Sequence, residues 1–242
     1  TNLSLLLDLY SQVKYYNSAL ETCEKLIELE IAETTSPNPN YLTLICEKAQ
    51  LLQKLNRISE AVTLLDKVSK DYWDTDINEY YYIWEELGGC YYQLNQYEKA
   101  LNCYGKIVAW FLFTKYALNC FYSALKLNRY QEAIFFGEAA LETEKLEFSL
   151  EEDFTFNADF WYNFGLCYCE LNQYKQALNS FNEALKLEPE NSIYVANKIE
   201  CLGKLTRHQE AISFGETILK QKSFTPNAHF WGQLGLSYGY LY

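Results

Sequence analysis

The chain has 242 residues, 49% of them hydrophobic, and its 32 acidic residues against 20 basic ones give a formal net charge of −12 at pH 7. This charge excludes the basic surface that a phosphate backbone requires, so we expect no direct binding to nucleic acid. No run approaches 18 consecutive apolar residues, so no segment is predicted to span a membrane.

Few residues of the chain break helices. It contains only 10 Gly and 4 Pro, about half the usual share, which favours helices joined by short turns. No CxxC pair is present. No charged region followed by an apolar stretch and a cleavage site opens the chain, so we expect a secretory signal to be absent or already removed. This usage is typical of buried, reduced thiols in a cytoplasmic protein, and it favours packing over metal binding or redox chemistry for the eight cysteines. These cysteines are at positions 23, 46, 90, 103, 120, 167, 169 and 201.

A short phrase recurs along the chain and marks the turn between two helices. It reads Leu94-Asn-Gln-Tyr-Glu-Lys-Ala100 in one copy and Leu171-Asn-Gln-Tyr-Lys-Gln-Ala177 in another. Apolar residues recur every three or four positions on both sides of it, which predicts an antiparallel helix pair. Counting weaker copies, its alanine falls at 19, 61, 100, 133, 177 and 211. A period of about 34 residues with variable insertions explains these positions.

A second phrase precedes the first in the better copies. It places Trp, Gly and Tyr at 84, 88 and 91, at 161, 165 and 168, and at 231, 235 and 238. Gly88 and Gly165 stand inside helical patterns, and we expect them to allow close approach of the paired helix at Ala100 and Ala177. Together the two phrases match W-x2-L-G-x2-Y…A-x3-F, so the chain resembles the tetratricopeptide-repeat (TPR) family.

The resemblance implies an all-α, right-handed superhelical solenoid of antiparallel helix pairs with about six and a half repeats. It covers 1–242 as a single solenoid. The repeats are predicted at 1–33, 42–75, 81–113, 114–147, 158–191 and 192–225, with a half repeat at 228–242.

The repeats alternate in sequence, and longer connections interrupt them. Even-numbered copies carry Arg57, Arg129 or Arg207 at the turn and lack the Trp and Gly-x2-Tyr elements; duplication of a double repeat explains this more simply than a functional alternation.

The acidic connection at 142–157 is either an extended helix end with a solvated loop or a segment that its phenylalanines hold against neighbouring helices. Asp74 and Asp76 resemble the start of a calcium loop, but no Gly stands where its sharp turn needs one, so we predict no calcium site.

Known catalytic and cofactor motifs are missing from the sequence. It has no phosphate-binding GxxxxGK[ST], no GxGxxG and no HExxH, and its two histidines are too few for a metal cage. We therefore predict that this segment is not an enzyme and that it binds no metal or cofactor.

The resemblance to TPR proteins implies that a peptide or protein binds the concave groove lined by the first helix of each pair. Few basic residues stand at these positions, so a chaperone-type carboxylate clamp is not expected. The groove is rich in Tyr and Leu and is mildly acidic, which suits a segment with apolar anchors and some basic residues. We expect the anchor patch to consist of Leu118, Tyr122, Tyr162 and Leu166. The predicted groove residues are Tyr82, Glu85, Tyr92, Lys115, Leu118, Tyr122, Leu125, Tyr162, Leu166, Cys169 and Glu200.

Two further surfaces are candidates for contact. Trp110, Phe111 and Phe113 place apolar residues where a polar turn is usual; either the insertion at 142–157 covers them, or they form a second contact patch. The last predicted helix, from 228, carries an apolar face for a partner helix. We therefore expect either that the chain is a segment of a longer protein or that this end packs against another domain or subunit.

Three functions are compatible with the sequence. The preferred interpretation is a protein–protein interaction scaffold that binds a peptide or protein segment. The alternatives are a sensor or substrate-recruiting arm of a larger multidomain enzyme or regulator, and a receptor for a short peptide signal.

Overall fold

The structure is a computed structural model that describes residues 2–33, 39–71, 77–110, 114–145 and 156–241. Every regular element in these ranges is an α-helix, which confirms the all-α prediction. The helices are α1 Asn2–Gln12, α2 Tyr16–Glu33, α3 Pro39–Lys54, α4 Ile58–Asp71, α5 Ile77–Gln93, α6 Tyr97–Trp110, α7 Thr114–Lys126, α8 Tyr130–Lys145, α9 Ala158–Glu170, α10 Tyr174–Leu187, α11 Ser192–Lys204, α12 His208–Leu219 and α13 Ala228–Gly239.

A residue in the left-handed region of backbone space is the middle residue of each three-residue turn within the pairs. Asn95 and Asn172, in the two best copies of the turn phrase, both have φ 58°. Asparagine tolerates this region better than most residues, because its short side chain bonds locally. In the pair α11/α12 the same position holds Thr206, with φ 59°. The turn predicted from Asn-Gln is therefore present and is repeated from pair to pair.

Asparagine side chains also start the first helices of the last three pairs or half pairs. Asn157 Oδ1 accepts a hydrogen bond of 2.8 Å from the backbone N–H of Phe160, and Asn227 Oδ1 accepts one of 2.8 Å from that of Phe230. Asn191 Oδ1 caps α11 by accepting from the backbone N–H two residues on, that of Ile193, at 3.1 Å. Such caps satisfy backbone donors that have no partner within the helix, and each contributes about 1 kcal/mol.

Residue contacts divide the chain into two compact units, each with its own apolar core. Unit 1 comprises Thr1–Leu127 with Ala139–Lys145, and unit 2 comprises Asn128–Glu138 with Leu146–Tyr242. Within unit 1 α1 packs on α2, α3 on α4 and α5 on α6; within unit 2 α9 packs on α10 and α11 on α12. The core of unit 1 includes the fully buried Leu87 and Phe121, and that of unit 2 includes Phe160 and Phe181. Burying each such side chain stabilises the fold by about 1.5–3 kcal/mol.

The glycines inside the first helices do make room for the second helix, but the expected partners need correction. A Cβ built on Gly88 would lie 2.9 Å from the ring of Tyr104, and one built on Gly165 would lie 2.7 Å from Phe181 Cε1. These rings, rather than the predicted Ala100 and Ala177, are the nearest atoms. The reason is that each ring, sixteen residues after its glycine, extends across the helix pair to the glycine backbone.

The alternation of the repeats has a local structural counterpart at the turns. Arg57 Nε and Nη2 both lie 2.7 Å from the Glu60 carboxylate, and Arg207 pairs with Glu210 in the same two-pronged way. Where the repeats carry Gln-Tyr instead, the tyrosine hydroxyl donates to the turn asparagine, as Tyr174 does to Asn172 at 2.7 Å. The turn before α8 carries both contacts, because Arg129 lies 3.5 Å from Glu132 and Tyr130 also donates to Asn128 at 3.1 Å.

The tyrosine of the Gly-x2-Tyr element connects successive repeats. Tyr91 Oη donates to Asp66 Oδ1 at 2.8 Å, from α5 to α4. Tyr168 donates to Glu138 at 2.9 Å, from α9 to α8. Tyr238 on α13 donates to Glu216 on α12 at 2.5 Å. The second phrase therefore carries both the contact within a repeat, at Gly, and the contact to the preceding repeat, at Tyr.

Only the two ends of the connection at 142–157 are described, so its two predicted arrangements stay predictions. Helix α8 continues to Lys145, and Phe156 is buried with its ring centroid 4.5 Å from that of Phe160. Residues 146–155 lie outside the described ranges. At the other end of unit 2, α13 exposes Trp231, and Tyr240, which follows the helix, is also exposed. A Cβ built on Gly235 would have no heavy atom within 4 Å. The predictions about what covers this face stay predictions.

Candidate peptide-binding surface

The predicted groove residues lie on the first helices of the pairs. In unit 1 these are α1, α3, α5 and α7, and α3 contacts α5 directly; in unit 2 they are α9, α11 and α13, and α11 contacts α13. Tyr122 belongs to unit 1 and Tyr162 to unit 2. The predicted cluster of these two residues with Leu118 and Leu166 therefore stays a prediction, and each unit's surface is described separately.

Two predicted groove residues of unit 1 form an ion pair with each other. Lys115 Nζ, on α7, lies 2.5 Å from Glu85 Oε1, on α5. The hydroxyl of Tyr116 donates to the other carboxylate oxygen of Glu85 at 2.7 Å. A partly exposed pair of this kind contributes about 1 kcal/mol or less to stability. Its main effect on the surface is that the negative charge of Glu85 offsets the positive charge of Lys115.

The neighbouring carboxylate, Glu86, is held by amides. Gln50 Nε2 donates to Glu86 Oε1 at 2.6 Å and Gln53 Nε2 donates to Oε2 at 3.0 Å, both from α3 to α5. Gln93 in turn donates to Gln53 Oε1 at 2.9 Å. Neutral amide donors orient a carboxylate without removing its charge. The sequence analysis missed these glutamines because their partner lies more than 30 residues away in the chain.

A pocket of about 420 Å³ lies between α1 and α3. Asp8 and Glu47 line it, and Lys14 and Lys54 stand in the same lining. The pKa of Glu47 is raised above its usual value, first by burial and then by the negative charge of Asp8. The like charges of these two residues therefore act on each other, and a cation placed beside them would relieve the repulsion.

The aromatic residues predicted for the groove of unit 1 are half-buried. Tyr92 lies edge-on to Tyr97 at 5.2 Å between ring centroids, and Tyr122 lies edge-on to Phe121 at 5.0 Å. Tyr82 and Leu125 are also half-buried. Leu118 differs because only 4% of it is exposed, so it adds to the packed interior rather than to the exposed surface.

In unit 2 the predicted anchor Tyr162 is held between helices. Its ring stacks on that of Tyr194, from α11, with 4.9 Å between centroids. Tyr194 Oη donates to Asp159 Oδ1 at 3.1 Å. The pKa of Tyr162 is raised by burial, against the opposing effect of a hydrogen bond with Asn197. One half-buried ring therefore contributes both to helix packing and to the surface, where Leu166 is also half-buried.

The other two groove positions of unit 2 contact the next first helix. Cys169 Sγ lies 3.4 Å from Cys201 Sγ on α11. Glu200 Oε2 lies 3.1 Å from His229 Nε2 on α13. Glu200 also lines a pocket of about 360 Å³ between α11 and α13, on whose other side the rings of His208 and Tyr240 stack at 4.7 Å. The sequence analysis did not anticipate the contact between the two thiols.

Other predictions fall partly or wholly outside the described residues. Trp110 is the last residue of α6, and Phe111 and Phe113 lie outside the described ranges. Asp74 and Asp76 of the calcium-like stretch also lie outside them. Among the residues that the structure describes, no group of three or more His, Cys, Asp or Glu side chains could hold a metal ion. In the same part of the chain, no helix is both long and apolar enough to cross a bilayer.

Comparison with known families and structures identifies the repeat type. A family model described as "Tetratricopeptide repeat" matches residues 46–106. A second, described as "Anaphase-promoting complex, cyclosome, subunit 3", matches residues 126–218. No curated protein sequence gives a match.

Solved structures share the fold at low sequence identity. A tetratricopeptide repeat protein from Parabacteroides merdae is 16% identical with a TM-score of 0.63, and the match covers 100% of this chain and 86% of that one. A MamA structure, AMB-1, is 17% identical with a TM-score of 0.59, covering 78% of this chain and 95% of that one. A further MamA structure is 14% identical with a TM-score of 0.60, covering 74% and 90%.

The fold defines the class of the protein as a helical-repeat scaffold for protein–protein interaction. The recurring phrases, the helix pairs and the matching family models agree on the type of repeat. The repeats of this chain are of the tetratricopeptide type, which the family model matches at residues 46–106.

Proposed function

We propose that the first helices of this scaffold bind a peptide or protein segment that carries basic residues and apolar anchors. The observation that carries the proposal is the series of carboxylates on successive first helices of unit 1: Asp8 on α1, Glu47 on α3 and Glu86 on α5. Burial, and then the negative charge of Asp8, raise the pKa of Glu47, so a cation beside these two carboxylates would be stabilised; the amides that orient Glu86 leave its charge in place. A cationic side chain is the complement of such a surface.

The apolar part of the proposed specificity comes from half-buried rings and leucines. Tyr82, Tyr92, Tyr122 and Leu125 are the candidate contacts in unit 1, and Tyr162 and Leu166 are those in unit 2. Rigid aromatic side chains lose little rotamer entropy on binding and dominate many interfaces. The ion pair between Lys115 and Glu85 supports the proposal. Because Glu85 offsets the charge of Lys115, this groove lysine attracts an acidic partner only weakly.

The electrostatic part is tested with two fluorescein-labelled probe peptides. Both have the same length and the same Leu and Tyr positions, and they differ only in carrying Lys or Glu at the remaining positions. We expect anisotropy titrations to show binding of the Lys peptide that weakens about tenfold between 50 and 300 mM NaCl, because exposed charges are screened. Equal binding of the two peptides, or binding of neither, contradicts the proposal.

Two charge variants locate the surface. Glu47→Gln and Glu86→Gln are each expected to weaken binding of the Lys peptide several-fold. Glu28→Gln, an exposed glutamate on the second helix α2, is the matched control and should leave the affinity unchanged. If all three variants bind alike, the acidic surface of the first helices is not the site.

The aromatic part is tested with Tyr122→Ala and Tyr162→Ala, each expected to weaken binding by about 2 kcal/mol or more. Since Tyr162 also stacks on Tyr194, Tyr162→Phe is the control that keeps the ring. Circular dichroism confirms that each variant is folded. Full binding by both alanine variants with unchanged helicity rules out these residues as anchors.

A further inference from the structure

Two cysteine side chains meet where α9 and α11 pack side by side. Cys169 is the penultimate residue of α9, and its Sγ lies 3.4 Å from Cys201 Sγ. Cys201 is 1% exposed, whereas Cys169 is only partly buried. One thiol of the pair can therefore be reached from solvent, and the other lies directly behind it.

The repeat register explains why these two positions touch. The corresponding contact one repeat later is between Gly203 and Ser237, where a Cβ built on Gly203 would lie 3.9 Å from Ser237 Oγ. Close packing of consecutive first helices requires small residues here, and Gly with Ser satisfies that requirement. Packing alone does not require two thiols. The α9/α11 contact therefore has two sulfur atoms that can be oxidised, and the α11/α13 contact between Gly203 and Ser237 has none.

The two sulfurs are also electrostatically distinct. The hydrogen bond from the Cys201 S–H holds the pKa of Cys169 below its usual value, against the opposing effects of burial and of Glu200 and Glu170. The same hydrogen bond and burial raise the pKa of Cys201. The more exposed sulfur is therefore the better nucleophile of the pair, and the buried one keeps its proton.

We propose that Cys169 and Cys201 form a reversible disulfide when the protein meets a peroxide. This would be an oxidative modification site that joins the first helices of two successive repeats. The proposal goes beyond peptide binding and does not rest on it.

The reaction balances with hydrogen peroxide as the oxidant. The Cys169 thiolate attacks one peroxide oxygen, the O–O bond breaks, and Cys169 sulfenic acid and hydroxide form. Cys201 sulfur then attacks the sulfur of Cys169; the S–S bond forms, the S–O bond breaks, and the departing oxygen leaves as water with the Cys201 proton. Two thiol sulfurs are each oxidised by one electron, and the peroxide takes up both electrons. A dithiol reductant restores the two thiols by exchange.

The geometry requires only a local adjustment. The sulfurs must approach from 3.4 Å to about 2.05 Å, a distance that side-chain rotation of two adjacent cysteines covers. The bond would close a loop of about 33 residues containing α10 and the turns on either side of it. A cross-link of that length restricts the unfolded chain and fixes the spacing of α9 and α11.

The test uses the purified chain in its folded state. The protein is exposed to hydrogen peroxide, remaining thiols are alkylated, and tryptic peptides are analysed by mass spectrometry without reduction. We expect residues 199–204, which contain Cys201, to be linked to residues 146–175, with loss of two of the eight alkylatable thiols. We also expect a rise in Tm of about 5 °C that dithiothreitol reverses.

Because residues 146–175 also contain Cys167, three serine variants assign the bond. Cys167→Ser should keep the linked peptide, whereas Cys169→Ser and Cys201→Ser should abolish it. Circular dichroism confirms that each variant is folded. A link that persists in Cys169→Ser, or a wild-type protein in which Cys169 is oxidised to the sulfinic acid without any link to Cys201, overturns the proposal.

Discussion

A Cβ atom added to Gly165 would lie 2.7 Å from Phe181 Cε1, so the ring of α10 occupies the space that any larger side chain would need. Replacing Gly by Ala inside a helix ordinarily stabilises it by about 1 kcal/mol. Here we expect the overlap to dominate, and Gly165→Ala should lower the free energy of unfolding by about 2 kcal/mol. Urea denaturation followed by circular dichroism measures the change.

Gly235 provides the matched control for this prediction. It occupies the corresponding position in α13, where an added Cβ would have no heavy atom within 4 Å. Gly235→Ala should therefore raise the free energy of unfolding by up to about 1 kcal/mol through helix propensity alone. If both variants shift stability in the same direction, the close approach of Phe181 does not explain the glycine.

Features that depend on residues close together in the sequence could be predicted, whereas contacts between residues far apart in the chain could not. The helix pairs and their turns follow from local signals, such as the apolar spacing around Leu94 and the asparagine that follows it. The ring that fills the space at Gly165 lies sixteen residues away on the paired helix, and the prediction named Ala177 instead. The contact between Cys169 and Cys201 depends on the register between repeats, which periodicity alone does not give to within one side chain.

The charges of the candidate surface show the same limit. The predicted groove positions lie on the first helices, but no partner was predicted for Lys115. The structure pairs it with Glu85, thirty residues earlier. Similarly, nothing in the local sequence connects Gln53 with Glu86. Predicting such pairs requires knowing which turns of adjacent helices lie side by side.

Among the described residues with positive φ, Thr206 is the one with a β-branched side chain. Its φ of 59° lies in the left-handed region, where a β-branched residue is strained. At the same turn position, other repeats carry asparagine, for example Asn172. We predict that Thr206→Asn raises the free energy of unfolding by about 0.5–1 kcal/mol, measured by urea denaturation. The reciprocal change, Asn172→Thr, should lower it, and a loss of stability in Thr206→Asn would contradict this account.

The hydrogen bond from Tyr168 to Glu138 should contribute measurably to the stability of unit 2. Tyr168 is 7% exposed and its hydroxyl lies 2.9 Å from the carboxylate. We predict that Tyr168→Phe lowers the free energy of unfolding by about 1 kcal/mol, because the ring packing is kept and only the hydrogen bond is lost. Tyr238→Phe is the comparison: the bond to Glu216 lies at the exposed surface, so its loss should cost less. Equal effects would argue against burial as the cause.

The buried thiols make the stability of the protein depend on pH on the alkaline side. Burial raises the pKa of several of them from 9.0 to about 12, since a thiolate is poorly solvated in the core. These thiols are Cys23, Cys90, Cys103 and Cys167. Above about pH 9 the unfolded chain releases protons that the folded chain retains, so each such thiol favours unfolding increasingly as pH rises from 9 towards 12.

We therefore predict that the urea midpoint falls clearly between pH 7.5 and pH 10, with a reductant present to prevent oxidation. The loss approaches about 1.4 kcal/mol per pH unit for each thiol that stays fully protonated in the fold. Cys90→Ala combined with Cys103→Ala removes two of these groups, so this variant should start less stable at pH 7.5 and lose less on going to pH 10. A wild-type midpoint that does not change over this range, or a variant with the same pH dependence as the wild type, would show that the buried thiols are not responsible.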